Sequence, residues 1–254
     1  MNTPGKKFRQ ALVDNNPLMI VGAINAYCAK MAEKAGHKAL YLSGAGVANA
    51  SFGLPDLAIT TLNDVAEDSR RITQATNLPL LIDIDTGFGG AFSISRTIKE
   101  MIAADVAAVH IEDQVTQKRC GHRPNKSLVD KIEMNDRIKA AVDGRTDDSF
   151  FIMARTDSYA SEGMEGAIDR CNEYIAAGAD GLFLEAVSNL EDYKQLKDAL
   201  HVPLLANITE FGKTPLFTAQ ELASVGVDIM LFPLSAFRAM NKAAESVYKD
   251  IAEH

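Results

Sequence analysis

Tryptophan is absent from the 254 residues, and cysteine occurs only three times. Cys28, Cys120 and Cys171 are odd in number and share no paired spacing, which excludes a disulfide framework and points to a reducing compartment, the cytoplasm. Positive charge is not in excess: 26 basic residues against 34 acidic leave a net charge of −8, the wrong sign for a nucleic-acid binder. An anionic substrate must then be drawn in by local cations, against the field of the whole molecule. No apolar run reaches membrane-spanning length, and the opening MNTPGKKFRQALVDNN lacks the apolar stretch of a secretory leader. The glycine-rich phosphate loops that often mark doubly wound nucleotide-binding sheets are missing too.

What is present is a regular alternation. Eight short apolar runs recur: Leu18–Gly22, Ala39–Leu42, Leu80–Ile84, Ala107–Ile111, Phe150–Ala154, Gly181–Leu184, Pro203–Ala206 and Asp228–Phe232. Each suits a strand buried on both faces of a parallel sheet. Between them lie helical patterns, among them Leu62–Thr76 behind Thr60 and Thr61, Ile94–Ala103 behind Ser93, Met134–Val142, Met164–Ala177 before Gly178, and Ser235–Ile251. Eight βα units in about 250 residues, with no linker or composition break, predict one α/β domain over 1–254, a (β/α)8 TIM barrel. An open doubly wound sheet is the alternative fold.

In such a barrel the active site forms where the strands end, and polar residues fall there repeatedly. Tyr41 and the SGAG run follow the second strand. Asp83 and Asp85 end the third, His110, Glu112 and Asp113 the fourth, and Arg155, Thr156 and Asp157 the fifth. Glu185 ends the sixth, and Asn207, Thr209 and Glu210 the seventh. Asp83 and Asp85, two apart on a strand, point to one side. Two carboxylates aimed together need a cation between them or a proton on one, and an open oxygen site suits Mg²⁺. Asp85 could instead cap the following loop. His110 shares the side of Glu112, either as a metal ligand or as a packed core histidine. Further on, the polar loop QKRCGHRP sets Cys120 among Lys118, Arg119, His122 and Arg123, charges that favour the thiolate and make proton exchange near neutral pH possible. A long loop at a barrel mouth reads as a lid. Cys28 and Cys171, inside helical patterns, read as packing residues.

KRCGH, together with DIDTGFGG upstream and SGAG before it, strongly resembles the isocitrate lyase and phosphoenolpyruvate mutase superfamily, and the likeness runs from about Lys7 to His254. The resemblance implies a (β/α)8 barrel whose C-terminal helix is swapped between subunits of a homotetramer, Mg²⁺ (or Mn²⁺) as cofactor, and a mobile lid. It implies retro-Claisen cleavage of a small-molecule tricarboxylate, 2-methylisocitrate, in propionate catabolism. Isocitrate cleavage and phosphonopyruvate or oxaloacetate chemistry are the alternatives, and a silent dicarboxylate-binding barrel is the reading from another class. Carried over by motif, Asp83 and Asp85 are implied as metal ligands, with Glu112 acting through water. Cys120 is implied as the acid and Tyr41 as the base. Ser43, Gly44, Ala45, Asp56, Cys120, Gly121, Arg155, Glu185, Asn207 and Thr209 are implied as substrate contacts. SGAG departs from the glycine-richer form of its loop. Members of the superfamily continue for several tens of residues past the position of His254, with the swapped helix and an arginine that reaches substrate, so the chain is expected to lack that extension.

Overall fold

A computed structural model describes residues 3–121, 123 and 125–254. Among these residues eight parallel strands close into a barrel in chain order: β1 (Leu18–Gly22), β2 (Ala39–Leu42), β3 (Leu80–Asp83), β4 (Ala108–Glu112), β5 (Phe151–Thr156), β6 (Gly181–Leu184), β7 (Leu204–Asn207) and β8 (Ile229–Phe232). β8 closes on β1 with Leu18 opposite Ile229, which excludes the open sheet. The helices are α1 (Pro4–Asp14), α2 (Ala26–Lys34), α3 (Gly44–Phe52), α4 (Leu62–Thr73), α5 (Ala91–Ala103), α6 (Lys131–Gly144), α7 (Tyr159–Ala176), α8 (Leu190–Ala199), α9 (Ala219–Ser224) and α10 (Ser235–Glu253).

Side chains alternate across each strand, and the barrel uses both faces. Ala39 and Tyr41 on β2, and Phe151 and Met153 on β5, fill the interior. Leu40, Leu42, Ile152 and Ala154 face outward into the shell under the helices. Below, α1 plugs the barrel: Phe8 is fully buried, its ring 5.3 Å from that of Phe151. Arg9 fastens the plug by donating to the Ser149 carbonyl at 2.8 Å and to Asp180 at 2.9 Å.

The boundaries differ from the sequence reading where polar groups find partners. β4 runs on through Glu112 and β5 through Thr156, because Glu112 and Arg155 sit opposite each other in register and form an ion pair inside the barrel. Helix α5 starts at Ala91 with Gly90 as its cap, so Ser93 is not the cap. Helix α4 ends at Thr73, short of Thr76. The apolar stripe of α10 reads as packing on the barrel and, at its far end, as exposed apolar surface for a neighbour; Val247, Tyr248 and Ile251 are exposed at that end, and even the barrel-side part has no fully buried residue. The helix packs beside β1, and Met240 lies against Cys28 of α2. Among the described residues no helix is long and apolar enough to cross a membrane.

Candidate active site

The two-residue period of the strands decides which side chains meet. Tyr41 and Phe183 belong to the interior cluster. The inward parity of Leu81, Ala108, Met153, Phe183 and Leu205 carries to Asp83, His110, Glu112, Arg155, Glu185 and Asn207, at or just past the same strand ends. These form one polar layer above the apolar interior, with every member less than a tenth exposed. Above it lies a cavity of about 90 Å³ lined by Tyr41, Ser43, Ala45, Asp56, Asp83, Lys118, Cys120, Gly121, Arg155, Phe183, Glu185, Asn207, Thr209, Pro233, Leu234 and Arg238. Of the residues singled out from the sequence, Gly44, Asp85 and Glu112 stand just behind this wall. Gly44 N donates to Asp83 Oδ2 at 3.4 Å; a Cβ there would come within 3.2 Å of both Asp83 Oδ2 and Asp85 Oδ1.

The loop after β4 folds down into the mouth. Lys118 is only 3% exposed, and its Nζ lies 2.6 Å from Asp56 Oδ1 and 2.7 Å from Asp85 Oδ1. Lys118 is therefore committed to carboxylates of the site rather than kept as a charge beside Cys120. Gly121 is wedged so tightly that a Cβ would fall 2.4 Å from Arg155 Nη2 and 2.8 Å from Asp157 Oδ1. Only glycine brings the loop this close. His122 and Pro124 lie outside the described residues. Cys28 and Cys171 are buried in α2 and α7 as packing residues, and none of the three cysteines is in a disulfide.

Charge inside the mouth is unbalanced. Among the described residues Asp56, Asp83, Asp85, Glu112, Asp157 and Glu185 share it with Lys118, Lys126 and Arg155. Burial opposes ionisation of Asp83, but His110, Lys118 and Arg155 outweigh it and hold Asp83 at about 2. The help from His110 applies only where that ring is charged, and burial has pushed His110 down to about 4. At neutral pH Lys118, Arg155 and the Asp85 backbone N–H, 2.9 Å from Asp83 Oδ1, keep Asp83 ionised. Asp85 is different: burial, with Asp83 and Asp56 beside it, raises it to about 6 despite Lys118. Burial also raises Glu112 well above the carboxylate range, with Arg155 and Lys118 opposing. Lys118 loses solvation as well, but Asp85, Glu112 and Asp83 keep it protonated.

A divalent cation fits this donor set. Both Glu112 oxygens and Asp85 Oδ1 are buried without a hydrogen bond of good geometry; Glu112 faces Arg155 and Asp85 faces Lys118 across ion pairs. Among the described residues no three His, Cys, Asp or Glu side chains form a complete ligand shell. Mg²⁺ does not require one, because it commonly takes one or two carboxylates and fills the rest with water and substrate oxygens. His110 is no such ligand. Its Nε2 is 2.8 Å from the Tyr41 hydroxyl, its ring stacks on Tyr41 and meets Phe183 edge-on, and it is a packed core histidine with Nδ1 3.8 Å from Asp83. Burial first, then Asp83, pushes the Tyr41 hydroxyl well above 10, only partly offset by Arg155 and Lys118.

Two members of the site carry a part that the sequence reading did not assign. Asp157, which that reading put at the mouth without a role, receives Arg155 Nε at 3.0 Å. Arg238 donates to Thr209 Oγ1 at 2.9 Å from the first turn of α10, and nothing in its local sequence marks it. Leu234 gives the cavity an apolar corner. Phe88 lines a separate cavity of about 440 Å³ on the far side of Asp85, and Phe237 faces a groove beside α10.

The parallel barrel with an acid-rich mouth and a cysteine-bearing loop folded into it marks an enzyme of the barrel class, with counterparts among known proteins. The family profile described as phosphoenolpyruvate phosphomutase matches residues 8–252, and the chain belongs to that family. It is 62% identical, over 99% of its length and 84% of the relative's, to the 2-methylisocitrate lyase of Vibrio cholerae serotype O1. Among solved structures it superposes on oxaloacetate acetylhydrolase bound to the inhibitor 3,3-difluorooxalacetate with a TM-score of 0.95 at 34% identity, covering 99% of this chain and 87% of that one. A phosphonopyruvate hydrolase in complex with oxalate and Mg²⁺ superposes with a TM-score of 0.86 at 28% identity, covering 99% and 87%.

Proposed function

We propose that the protein cleaves 2-methylisocitrate to pyruvate and succinate, with Mg²⁺ (or Mn²⁺) as cofactor. The observation that carries this reading is the descent of the Lys118–Gly121 loop into the mouth, which puts Cys120 on a cavity shared with Asp83, Arg155, Glu185 and Asn207. The 62% identity to a relative of that name supports the substrate.

Asp83 and Asp85, with Glu112 through water, are the residues that would hold the cation. When bound it would lower the pKa of the substrate hydroxyl and hold the neighbouring carboxylate. Ser43, Gly44 and Ala45, at the start of α3, offer backbone N–H groups and the positive helix end to a second carboxylate. Asp56, Glu185, Asn207 and Thr209 line the remaining wall, and Arg238 supplies a cation at its rim. Tyr41 takes the hydroxyl proton. Its hydroxyl oxygen lies 2.8 Å from His110 Nε2, a contact that orients it; to take the proton Tyr41 must act as the phenolate, which Arg155 and Lys118 favour against the burial that opposes it. Breaking the carbon–carbon bond releases pyruvate and leaves a carbanion on the dicarboxylate, stabilised by Arg155. Cys120 Sγ delivers the proton that completes succinate, inside a mouth from which the loop excludes water.

The test is a coupled assay with Mg²⁺ that follows pyruvate from 2-methylisocitrate and glyoxylate from isocitrate. Pyruvate is expected, with isocitrate poorer by about 10–200-fold, the usual worth of one methylene in a pocket. Preference for isocitrate, or turnover of oxaloacetate alone, would overturn the substrate assignment.

We further propose a cytoplasmic homo-oligomer, a tetramer. The exposed end of α10 and the groove beside it lined by Val21, Cys28, Met31 and Phe232 are apolar surface that a symmetric mate would cover. The thiol chemistry assigned to Cys120 suits a reducing compartment. Light scattering at micromolar concentration is expected to return four subunits, and a clean monomer would refute this.

A further inference from the structure

The mouth contains a charged group that the reaction above does not use. Lys126 lies on the returning arm of the loop, with its side chain 8% exposed. Its Nζ donates to the Gly121 carbonyl at 2.7 Å and to Asp157 Oδ1 at 2.6 Å. Asp157 itself is fully shielded, 1% exposed. Its other oxygen receives Arg155 Nε at 3.0 Å, and its backbone N–H is fixed by Asp113 Oδ1 at 3.0 Å. Asp113 is anchored in turn by Thr156 Oγ1 at 2.6 Å and by the Tyr174 hydroxyl at 2.9 Å.

We infer that Lys126 is a positioning residue that latches the Cys120 loop shut, through a bridge from the Gly121 carbonyl to Asp157, the carboxylate that also orients Arg155. The bridge ties the loop tip, one residue from the thiol, to a rigid post built from β4, β5 and α7. The fit at the tip makes the latch necessary. Gly121 rests against Arg155, Glu185 and Asp157 at separations no side chain would tolerate, so the loop is located by close contact; Lys118 holds its descending arm to Asp56 and Asp85, and the Lys126 ammonium joins its tip to Asp157. Asp157 meets a lid cation and a site cation at once. When the loop lifts, Asp157 loses Lys126 and binds Arg155 alone, so closure and the setting of Arg155 are one event. A buried carboxylate that loses one of two cations is left poorly compensated, which favours the closed arrangement.

This inference rests on the reading of the Cys120 loop as a lid, and its test does not depend on which acid is the substrate. The rate of Cys120 alkylation by iodoacetamide, followed by peptide mass spectrometry and taken relative to wild type, in which the thiol is half-buried, reports the change in loop opening. Lys126→Met is expected to raise that rate about tenfold, a modest shift in a two-state population. Lys126→Arg, which keeps the charge, is expected to return most of the protection. Electrostatics alone would act the other way: removing a nearby cation raises a thiol pKa and slows alkylation. Cys171, fully buried in α7, is the internal control for unfolding, with Cys28 at the groove of α2 as a surface-reactivity reference. kcat should fall about tenfold in Lys126→Met, with KM changed less, because closing rather than binding is impaired. An unchanged Cys120 rate, or labelling of Cys120 and Cys171 in step, would overturn the latch. A wild-type protein that turns over neither acid would overturn the substrate assignment and leave the alkylation result decisive for the latch.

Discussion

Cys120→Ala is expected to lower kcat by about 10²–10⁴-fold, the usual worth of a placed general acid, with little change in Tm. The size follows from position. The thiol lines the cavity with Arg155, Glu185 and Asn207, where a carbanion formed on the dicarboxylate would stand. Without Cys120 the proton must come from solvent, which the closed loop excludes. Stability should hardly respond. Cys120 is half-buried on a loop, and its removal leaves the Lys118 and Lys126 contacts in place. Cys120→Ser should be nearly as slow as alanine, because a hydroxyl gives up its proton far less readily than a thiol of ordinary pKa about 8.5. Steady-state kinetics and a thermal melt on the three proteins check this. Near-normal kcat in Cys120→Ala would show that another group protonates the product.

Much of this arrangement was legible from the chain, for a reason that can be stated. Strands of a parallel barrel are buried on both faces, so each appears as a short apolar run, and the polar residue that ends the run sits at the mouth. Asp83, Glu112, Arg155, Glu185 and Asn207 were found that way, and strand parity puts them in one layer. What parity could not supply was the path of the loops. Asp85 sits past the strand end with a left-handed φ of 48°, so it belongs to the turn, and its side chain stands behind the cavity wall rather than on it. Lys118 and Lys126 look like solvated lid charges, because no sequence pattern says that a loop folds inward and buries them. Arg238 reaches Thr209 only because α10 leaves β8 at a particular angle, a fact of packing. The stripe on α10 shows the converse. Its spacing announced an apolar face correctly, but spacing is silent about what covers it, and the barrel does not.

Stripping divalent metal is expected to abolish turnover, and restoring Mg²⁺ should stabilise the fold in a pH-dependent way. Two ionisable carboxylates and Glu112 share a buried space in which Asp85 Oδ1 and both Glu112 oxygens lack good hydrogen bonds. A ligand at about 100 times its Kd adds about 2.7 kcal/mol to the folded state. For a chain of this size each kcal/mol moves Tm by about 2–4 °C, so the rise should be about 5–10 °C at pH 7.5. The pH dependence has a definite sign. Asp85 has a folded pKa raised from 3.8 to about 6, so the metal-free protein gives up stability from this group as pH climbs through that interval and the buried carboxylate is forced to ionise. A bound cation compensates that charge. Below about pH 6 the proton holds Asp85 instead, and apparent Mg²⁺ affinity should fall by about tenfold per pH unit, because a carboxylate must be deprotonated to bind metal. Asp83, held at about 2, is ionised throughout this window, and its own contribution is lost only in strong acid. The Mg²⁺-dependent shift in Tm should therefore fall by about half between pH 7.5 and pH 5, and Asp85→Asn should make it small at both. Full turnover after verified metal removal would sink the metal assignment; an equal Tm shift at the two pH values would show that Asp85 is not the group the cation meets.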